Sequence, residues 1–266
     1  MRIAFVKMEG AGNDYVYVDA IRTPFPMPRG GECAQRWSNR HFGIGADGLI
    51  VLSRGERAPV RMSMWNADGS RGSMCGNGLR CLARLAADLG HVRTKSFDVE
   101  TDAGLRHADL LADGAVCIDL GEVTCGSSTR IAAGGRRVDY TPGNAGNPHA
   151  VVFVDDIDRT DVAALGAALQ ARSDVFPDSV NVEFVQVVGP AQLRQRTFER
   201  GSGETLACGT GAAVAALVAQ QAGRCTGPVV AVQLRGGTLK VLLGGSSLAI
   251  EGPARTVFTG EVELPD

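Results

Sequence analysis

Met74-Cys75-Gly76-Asn77-Gly78-Leu79-Arg80-Cys81 and Ala207-Cys208-Gly209-Thr210-Gly211 share a Cys-Gly-x-Gly signature, with the two cysteines 133 residues apart in a chain of 266. Each signature opens an alanine- and leucine-rich run long enough for a helix, over 78–89 and 211–222. Other pairs repeat at nearly the same offset. Trp65-Asn66 maps onto Phe198-Glu199, each ending nine residues before its cysteine, and Ala103-Gly104-Leu105 maps onto Gly236-Gly237-Thr238. Gly12-Asn13 maps onto Gly146-Asn147 at an offset of 134. Glycine bias can produce one such match, but four in the same order point to a duplication. The expected fold is α+β: two homologous halves, 1–133 and 134–266, related by a pseudo-twofold, each wrapping strands around its one long helix. Short apolar or alternating runs over 3–8, 15–18, 49–52, 150–154, 182–188, 229–234 and 239–243 predict strands. Two shorter helices are expected over 32–39 and 162–171.

Composition narrows the function classes. Apolar residues make up 44% of the chain, enough for a real core, and the net charge of -2 gives no electrostatic case for nucleic acid or an acidic membrane surface. No stretch reaches the ~20 apolar residues of a membrane helix, and the first residues lack the features of a signal peptide. The expected compartment is the cytoplasm. Seven cysteines, an odd number, with no CxxC pair, argue against a disulfide framework, thioredoxin chemistry and a zinc ribbon. The four histidines do not pair at metal-ligand spacing, so no metal is expected.

The signatures place a thiol where a loop enters a helix. The first N–H groups of a helix have no internal partner and its dipole end is positive. Such an end binds a carboxylate through backbone amides and favours a thiolate. Two such ends facing one pocket would put one sulfur on each side of a substrate α-carbon. Inverting a stereocentre needs that arrangement: a base on one face and an acid on the other, with roles exchanged in the reverse direction. No pyridoxal signature is evident, and no cofactor is expected. Cys33, Cys117, Cys125 and Cys225 read as small buried hydrophobes, and Cys81 as helix packing.

At these motifs the sequence resembles the diaminopimelate epimerase family. The matching segments are Gly10-Ala11-Gly12-Asn13-Asp14, Phe42-Gly43-Ile44-Gly45-Ala46-Asp47-Gly48, Asn66-Ala67-Asp68-Gly69-Ser70, Gly146-Asn147-Pro148-His149, Val180-Asn181 and Glu199-Arg200-Gly201-Ser202-Gly203-Glu204-Thr205, together with the two cysteine signatures. The resemblance implies a cofactor-independent epimerase interconverting LL- and meso-diaminopimelate, for lysine and peptidoglycan synthesis, with a homodimer as a fair expectation. It implies Cys75 and Cys208 as the acid/base pair. Gly76, Asn77, Gly209 and Thr210 would offer backbone amides to the reacting carboxylate. Asn13, Asn66, Asn147, Asn181, Glu199 and Arg200 would hold the substrate's polar groups, and His149 and Glu199 would tune the thiols. On the residues alone, the asparagines beside glycine are equally turn formers, whereas His149 reads first as structural and Glu199-Arg200 first as a solvated pair. In one departure, some family members carry a substrate-contacting glutamine where Gly48 stands.

Competing readings share parts of this pattern. Proline racemases and hydroxyproline epimerases use the same two-cysteine logic, but their first motif typically has histidine at the place of Asn77. A cyclic imino acid also leaves no distal carboxylate for Arg200. A histidine-type racemase could keep the scaffold. A nucleotide-binding module lacks its GxxxxGK[ST] or strand-flanked GxGxxG. A redox-sensing thiol pair would use the same two cysteines differently.

Overall fold

The structure, a computed structural model, describes residues 1–244 and 247–265. Packing divides the chain into two compact units, Met1–Ile118 with Gly252–Asp266, and Asp119–Glu251. From the N-terminus the chain forms β1 (Arg2–Gly10), β2 (Asn13–Asp19), α1 (Gly30–Ser38), β3 (Gly48–Ser53), β4 (Val60–Asn66), β5 (Arg71–Gly72), α2 (Gly76–Asp88), β6 (Ser96–Thr101), β7 (Gly104–Leu110) and β8 (Val116–Gly121). It continues with β9 (Thr124–Cys125), β10 (Thr129–Ala133), β11 (Arg136–Asn144), β12 (Pro148–Phe153), α3 (Val162–Gln170), β13 (Asn181–Gly189), β14 (Gln192–Glu199) and β15 (Gly203–Thr205). The last elements are α4 (Gly209–Gln221), β16 (Val229–Leu234), β17 (Gly237–Leu242), β18 (Leu248–Gly252) and β19 (Arg255–Glu263).

Strand register repeats the duplication residue by residue. In the first unit β2 and β3 run parallel with Val16 opposite Leu49; in the second β12 and β13 run parallel with Ala150 opposite Val182. Leu49 then faces Trp65 across the antiparallel pair β3–β4, as Val182 faces Phe198 across β13–β14. Trp65 pairs with Arg71 on β5, as Phe198 pairs with Glu204 on β15. Val60 lies beside Val99 in the parallel pair β4–β6, and Leu193 beside Val232 in β14–β16. The hairpin β6–β7 closes at Thr101 and Gly104, and β16–β17 closes at Leu234 and Gly237. A one-residue slip in any ladder would turn its buried side chains to solvent, so matching registers in both units mean the same core is built twice.

The two long helices fill those cores. Both have thirteen residues. In the first unit α2 packs against β1, β2, β3, β4 and β7; in the second α4 packs against β9, β11, β12, β13, β14, β16 and β17. α4 has almost no polar face, and its alanines and valines are buried nearly all round, the pattern of a helix enclosed by strands. α2 keeps one solvated edge, where Arg84 Nε meets Asp88 Oδ1 at 3.0 Å.

Packing does not follow sequence order throughout. Residues 119–133 fall within the second unit and 252–266 within the first. β19 pairs with β1 from Arg2 opposite Glu263 to Glu9 opposite Arg255, covering an edge whose backbone groups would otherwise stay open. β10 pairs with β11 in the second unit. Neither strand carries an apolar run: β19 is mostly exposed, and β10 has a single buried residue, Ala133. The hydrophobic pattern therefore could not announce them.

Cys33, Cys81 and Cys225 are buried as expected, whereas Cys117 and Cys125 are only partly so. Cys125 Sγ donates to Gln221 Oε1 at 3.0 Å. Burial pushes the Cys33 thiol to about 11 and the Cys81 thiol to about 12, so both are inert near neutral pH. Among the described residues, no helix is long and apolar enough to cross a membrane.

Candidate active site

Cys75 and Cys208 are the N-caps of α2 and α4. Both have extended backbone, with φ -130° and ψ 122° at Cys75 and φ -120° and ψ 112° at Cys208. Cys75 Sγ accepts from Gly78 N at 3.4 Å, and Cys208 Sγ accepts from Gly211 N at 3.4 Å. Each sulfur thus takes the place usually held by a serine or aspartate oxygen, at the positive end of its helix. Gly76 and Gly209 are the first helical residues, followed by Asn77 and Thr210. Amides at these first positions have no acceptor within the helix.

In the first unit the structure brings Asn13 to Cys75. The thiol donates to Asn13 Oδ1 at 3.3 Å, while Asn13 Nδ2 donates to Asp47 Oδ2 at 2.6 Å. Asp47 belongs to a chain of charges that the sequence reading missed. Lys7 Nζ pairs with Asp14 Oδ2 at 2.5 Å, and Arg40 Nη2 reaches Asp14 Oδ1 at 2.7 Å and Asp47 Oδ1 at 2.9 Å. Burial alone would raise the Asp14 carboxyl, but hydrogen bonds from Arg40 and Lys7 outweigh it and hold the group low. Burial, then the neighbouring Asp14 charge, pushes Asp47 up. With Asp47 claiming its amide nitrogen, Asn13 must present its oxygen to Cys75. Asp14 and Asp47 stand in quoted motifs, yet their roles depend on Lys7 and Arg40, which no motif marks.

Asn77 is buried, and its Oδ1 accepts from Arg80 Nη2 at 2.9 Å. Its side chain is therefore tied to the helix. Arg80 is fully buried; its Nε also donates to Pro253 O at 3.3 Å. Asn66 has a different side-chain partner. It ends β4, and its Nδ2 donates to Ser70 Oγ at 2.9 Å. Gly48 lies opposite Asn66. A Cβ there would sit 2.2 Å from Trp65 O and 2.8 Å from Tyr15 Cε1, so the strand pairing leaves no room for a side chain.

In the second unit Cys208, His149, Asn147, Glu199 and Thr210 gather together. His149 is buried, with Nδ1 2.8 Å from Glu183 Oε1 and Nε2 2.9 Å from Asn147 Oδ1. Ligand atoms of His149, Glu183 and Cys208 all lie within 4.8 Å of one another. His149 and Glu183 bond each other, and with Cys208 they form one buried cluster. Sequence spacing could not show it, because 34 residues separate His149 from Glu183. Thr210 Oγ1 is 3.5 Å from Cys208 Sγ. Burial first, then the carboxylates of Glu199 and Glu183, push the Cys208 thiol well above its usual range. Thr205 Oγ1 donates to Glu199 Oε1 at 2.5 Å and fixes that carboxylate.

Arg200 N donates to Asn181 Oδ1 at 2.9 Å, and Arg200 Nη1 donates to Asp178 O at 2.9 Å. Asn181 is buried and Arg200 exposed. The asparagine anchors the arginine's backbone, and the guanidinium keeps donors for an anion.

Comparison with known proteins gives one family. A family profile described as diaminopimelate epimerase matches residues 5–133 and 143–264. The chain is 40% identical to the diaminopimelate epimerase of Geobacillus thermodenitrificans over 276 residues, covering 96% of this chain and 95% of that one. It is 39% identical to the diaminopimelate epimerase of Leptospira biflexa, covering 99% and 100%. Among solved structures, a phenazine biosynthesis protein of the PhzF family from Bacillus anthracis superposes with a TM-score of 0.79 at 16% identity, over 99% of this chain and 100% of that one. A hydroxyproline epimerase from Agrobacterium vitis gives 0.76 at 16% identity, over 100% and 93%. At such low identities these two share the fold with this chain and nothing finer.

Proposed function

The chain belongs to the diaminopimelate epimerase family, and from that premise we propose that it interconverts LL- and meso-diaminopimelate by two-base proton transfer, without a cofactor. The observation that carries the reading is the pair of N-cap thiols, Cys75 and Cys208, at equivalent starts of α2 and α4. One sulfur, as thiolate, removes the α-proton and becomes S–H. The other, as thiol, gives its proton to the same carbon from the opposite face and becomes the thiolate. One proton leaves and one arrives, so the reverse reaction needs only the swapped state. Backbone amides of Gly76, Asn77, Gly209 and Thr210 take the reacting carboxylate and steady the charge that builds on it. Asn13, with its amide oriented by Asp47, and Asn66, Asn147 and Glu199 meet the zwitterion's polar groups. His149 and Glu199 tune Cys208. Homologous halves over 1–133 and 134–266, a homodimer and a cytoplasmic biosynthetic role belong to the same reading.

Reduced enzyme should wash solvent deuterium into the α-position of diaminopimelate with no added pyridoxal phosphate or metal, as read by mass spectrometry. Proline and histidine, run in parallel, should stay unlabelled. Labelling of either in place of diaminopimelate would move the chain to another racemase specificity, and none at all in fresh reduced protein would end the epimerase reading.

In this reading Arg200 takes the distal carboxylate. Arg200→Met keeps most of the apolar stem of the side chain and removes its charge. It should weaken diaminopimelate binding by about 1.5–3 kcal/mol, the range for a hydrogen bond to a charged group. Calorimetric titration checks this, and unchanged affinity would put the distal contact elsewhere.

A further inference from the structure

Position 183 is one place where the two matched helix starts differ. Gly78 and Gly211 occupy the same place in the first turns of α2 and α4, and each lacks a Cβ because a side chain from a neighbouring strand fills that space. A Cβ on Gly78 would sit 2.5 Å from Ile50 Cδ1, and one on Gly211 would sit 2.3 Å from Glu183 Oε1. Ile50 on β3 and Glu183 on β13 are themselves equivalent, being next in line after the matched residues Leu49 and Val182. The duplicated fold thus seats an apolar group against the first helix start and a carboxylate against the second. The carboxylate is fully buried. Its Oε1 takes the His149 Nδ1 contact, and its Oε2, also buried, has no hydrogen-bond partner among the described residues.

We propose that Glu183 is a positioning residue for Cys208: its carboxylate, seated over Gly211, fixes His149 and holds Cys208 as the proton-bearing thiol of the pair. The proposal deepens the epimerase reading above and rests on it for the meaning of the pair. Three charged or titratable groups in the second unit bear on the Cys208 sulfur: Glu183, Glu199 and His149. Both carboxylates disfavour a thiolate there, and an ionised carboxylate can only accept, so His149 Nδ1 carries a hydrogen toward Glu183. In the first unit the equivalent group is Ile50, and Cys75 meets the neutral amide of Asn13. The two thiols are therefore chemically unequal although their backbones match. Cys208 is built to carry its proton at rest and to recover it after each transfer, because its thiolate form sits beside two negative charges.

The test measures alkylation of each cysteine by iodoacetamide across a pH series, read peptide by peptide on the intact enzyme. Cys75 is the internal reference, and the buried Cys33 and Cys81 report unfolding. Glu183→Gln should move the Cys208 midpoint down in pH and raise its alkylation rate near neutral pH about tenfold, as a one-unit fall in pKa implies, with Cys75 unchanged. Glu183→Asp, which keeps the charge, should leave the midpoint raised. If the glutamine variant exposes Cys33 and Cys81, Glu183→Ala, which opens space without filling it, gives the same reading. An unmoved Cys208 midpoint in Glu183→Gln, or equal shifts in the glutamine and aspartate variants, would overturn the proposal. The readout needs no substrate, so a failure of diaminopimelate labelling would strike the epimerase reading and leave this result intact.

Discussion

Cys75→Ala and Cys208→Ala are each expected to abolish epimerisation while leaving the protein folded. Proton transfer by a positioned group contributes roughly 10²–10⁴-fold, and inversion needs both transfers. Either variant should therefore fall at least about 10²-fold in kcat, since a bulk-water proton must replace a placed one. The structural cost is small by comparison. Each sulfur caps its helix through one long contact of 3.4 Å to an amide, and losing a far better cap costs only about 1 kcal/mol. Steady-state assay with urea unfolding on the same preparation separates the two effects. Near-wild-type turnover in either variant would refute the two-base scheme. Equal loss of stability and activity would mean the cysteines serve the fold.

The second large effect is expected at Gly48. Gly48→Gln should loosen the β3–β4 pairing without adding a substrate contact. The new Cβ would press to 2.2 Å on Trp65 O, a backbone carbonyl within the strand pairing. A flexible side chain could move aside; a ladder carbonyl cannot without breaking register. Overpacking of this kind costs about 1–3 kcal/mol. β3 is buried along nearly its whole length, so little slack exists to absorb it. The midpoint of urea unfolding should fall, and Asn66, directly opposite on β4, should shift with the displaced strand. Wild-type stability in this variant would show that the strand can open at Gly48.

Much of the fold was legible because its signals are local. Helix starts are written in Cys-Gly-x-Gly, and apolar runs mark β1, β2, β3, β12, β13, β16 and β17. Solvent-facing strands such as β10 and β19 are held by backbone pairing, which leaves no period in the side chains. Cys117 and Cys125 looked like core residues by type, but type cannot say which strand end reaches solvent. At the site, motif residues were visible one by one and their partners were not. Asn77 was expected to serve through its backbone amide, and only the structure shows Arg80 holding its side chain.

Sequence alone determined the duplication, the two capping thiols and the family, because repetition and glycine placement are properties of the chain read in order. Tertiary structure decided how each thiol is equipped. Lys7, Asp14, Arg40 and Asp47 converge to aim Asn13 at Cys75, and Glu183 reaches His149 and the space over Gly211 from a different strand. Electrostatic influence falls with distance through space, not along the chain. Two helix starts with the same local sequence therefore acquire opposite surroundings only when neighbouring strands bring an isoleucine to one and a glutamate to the other.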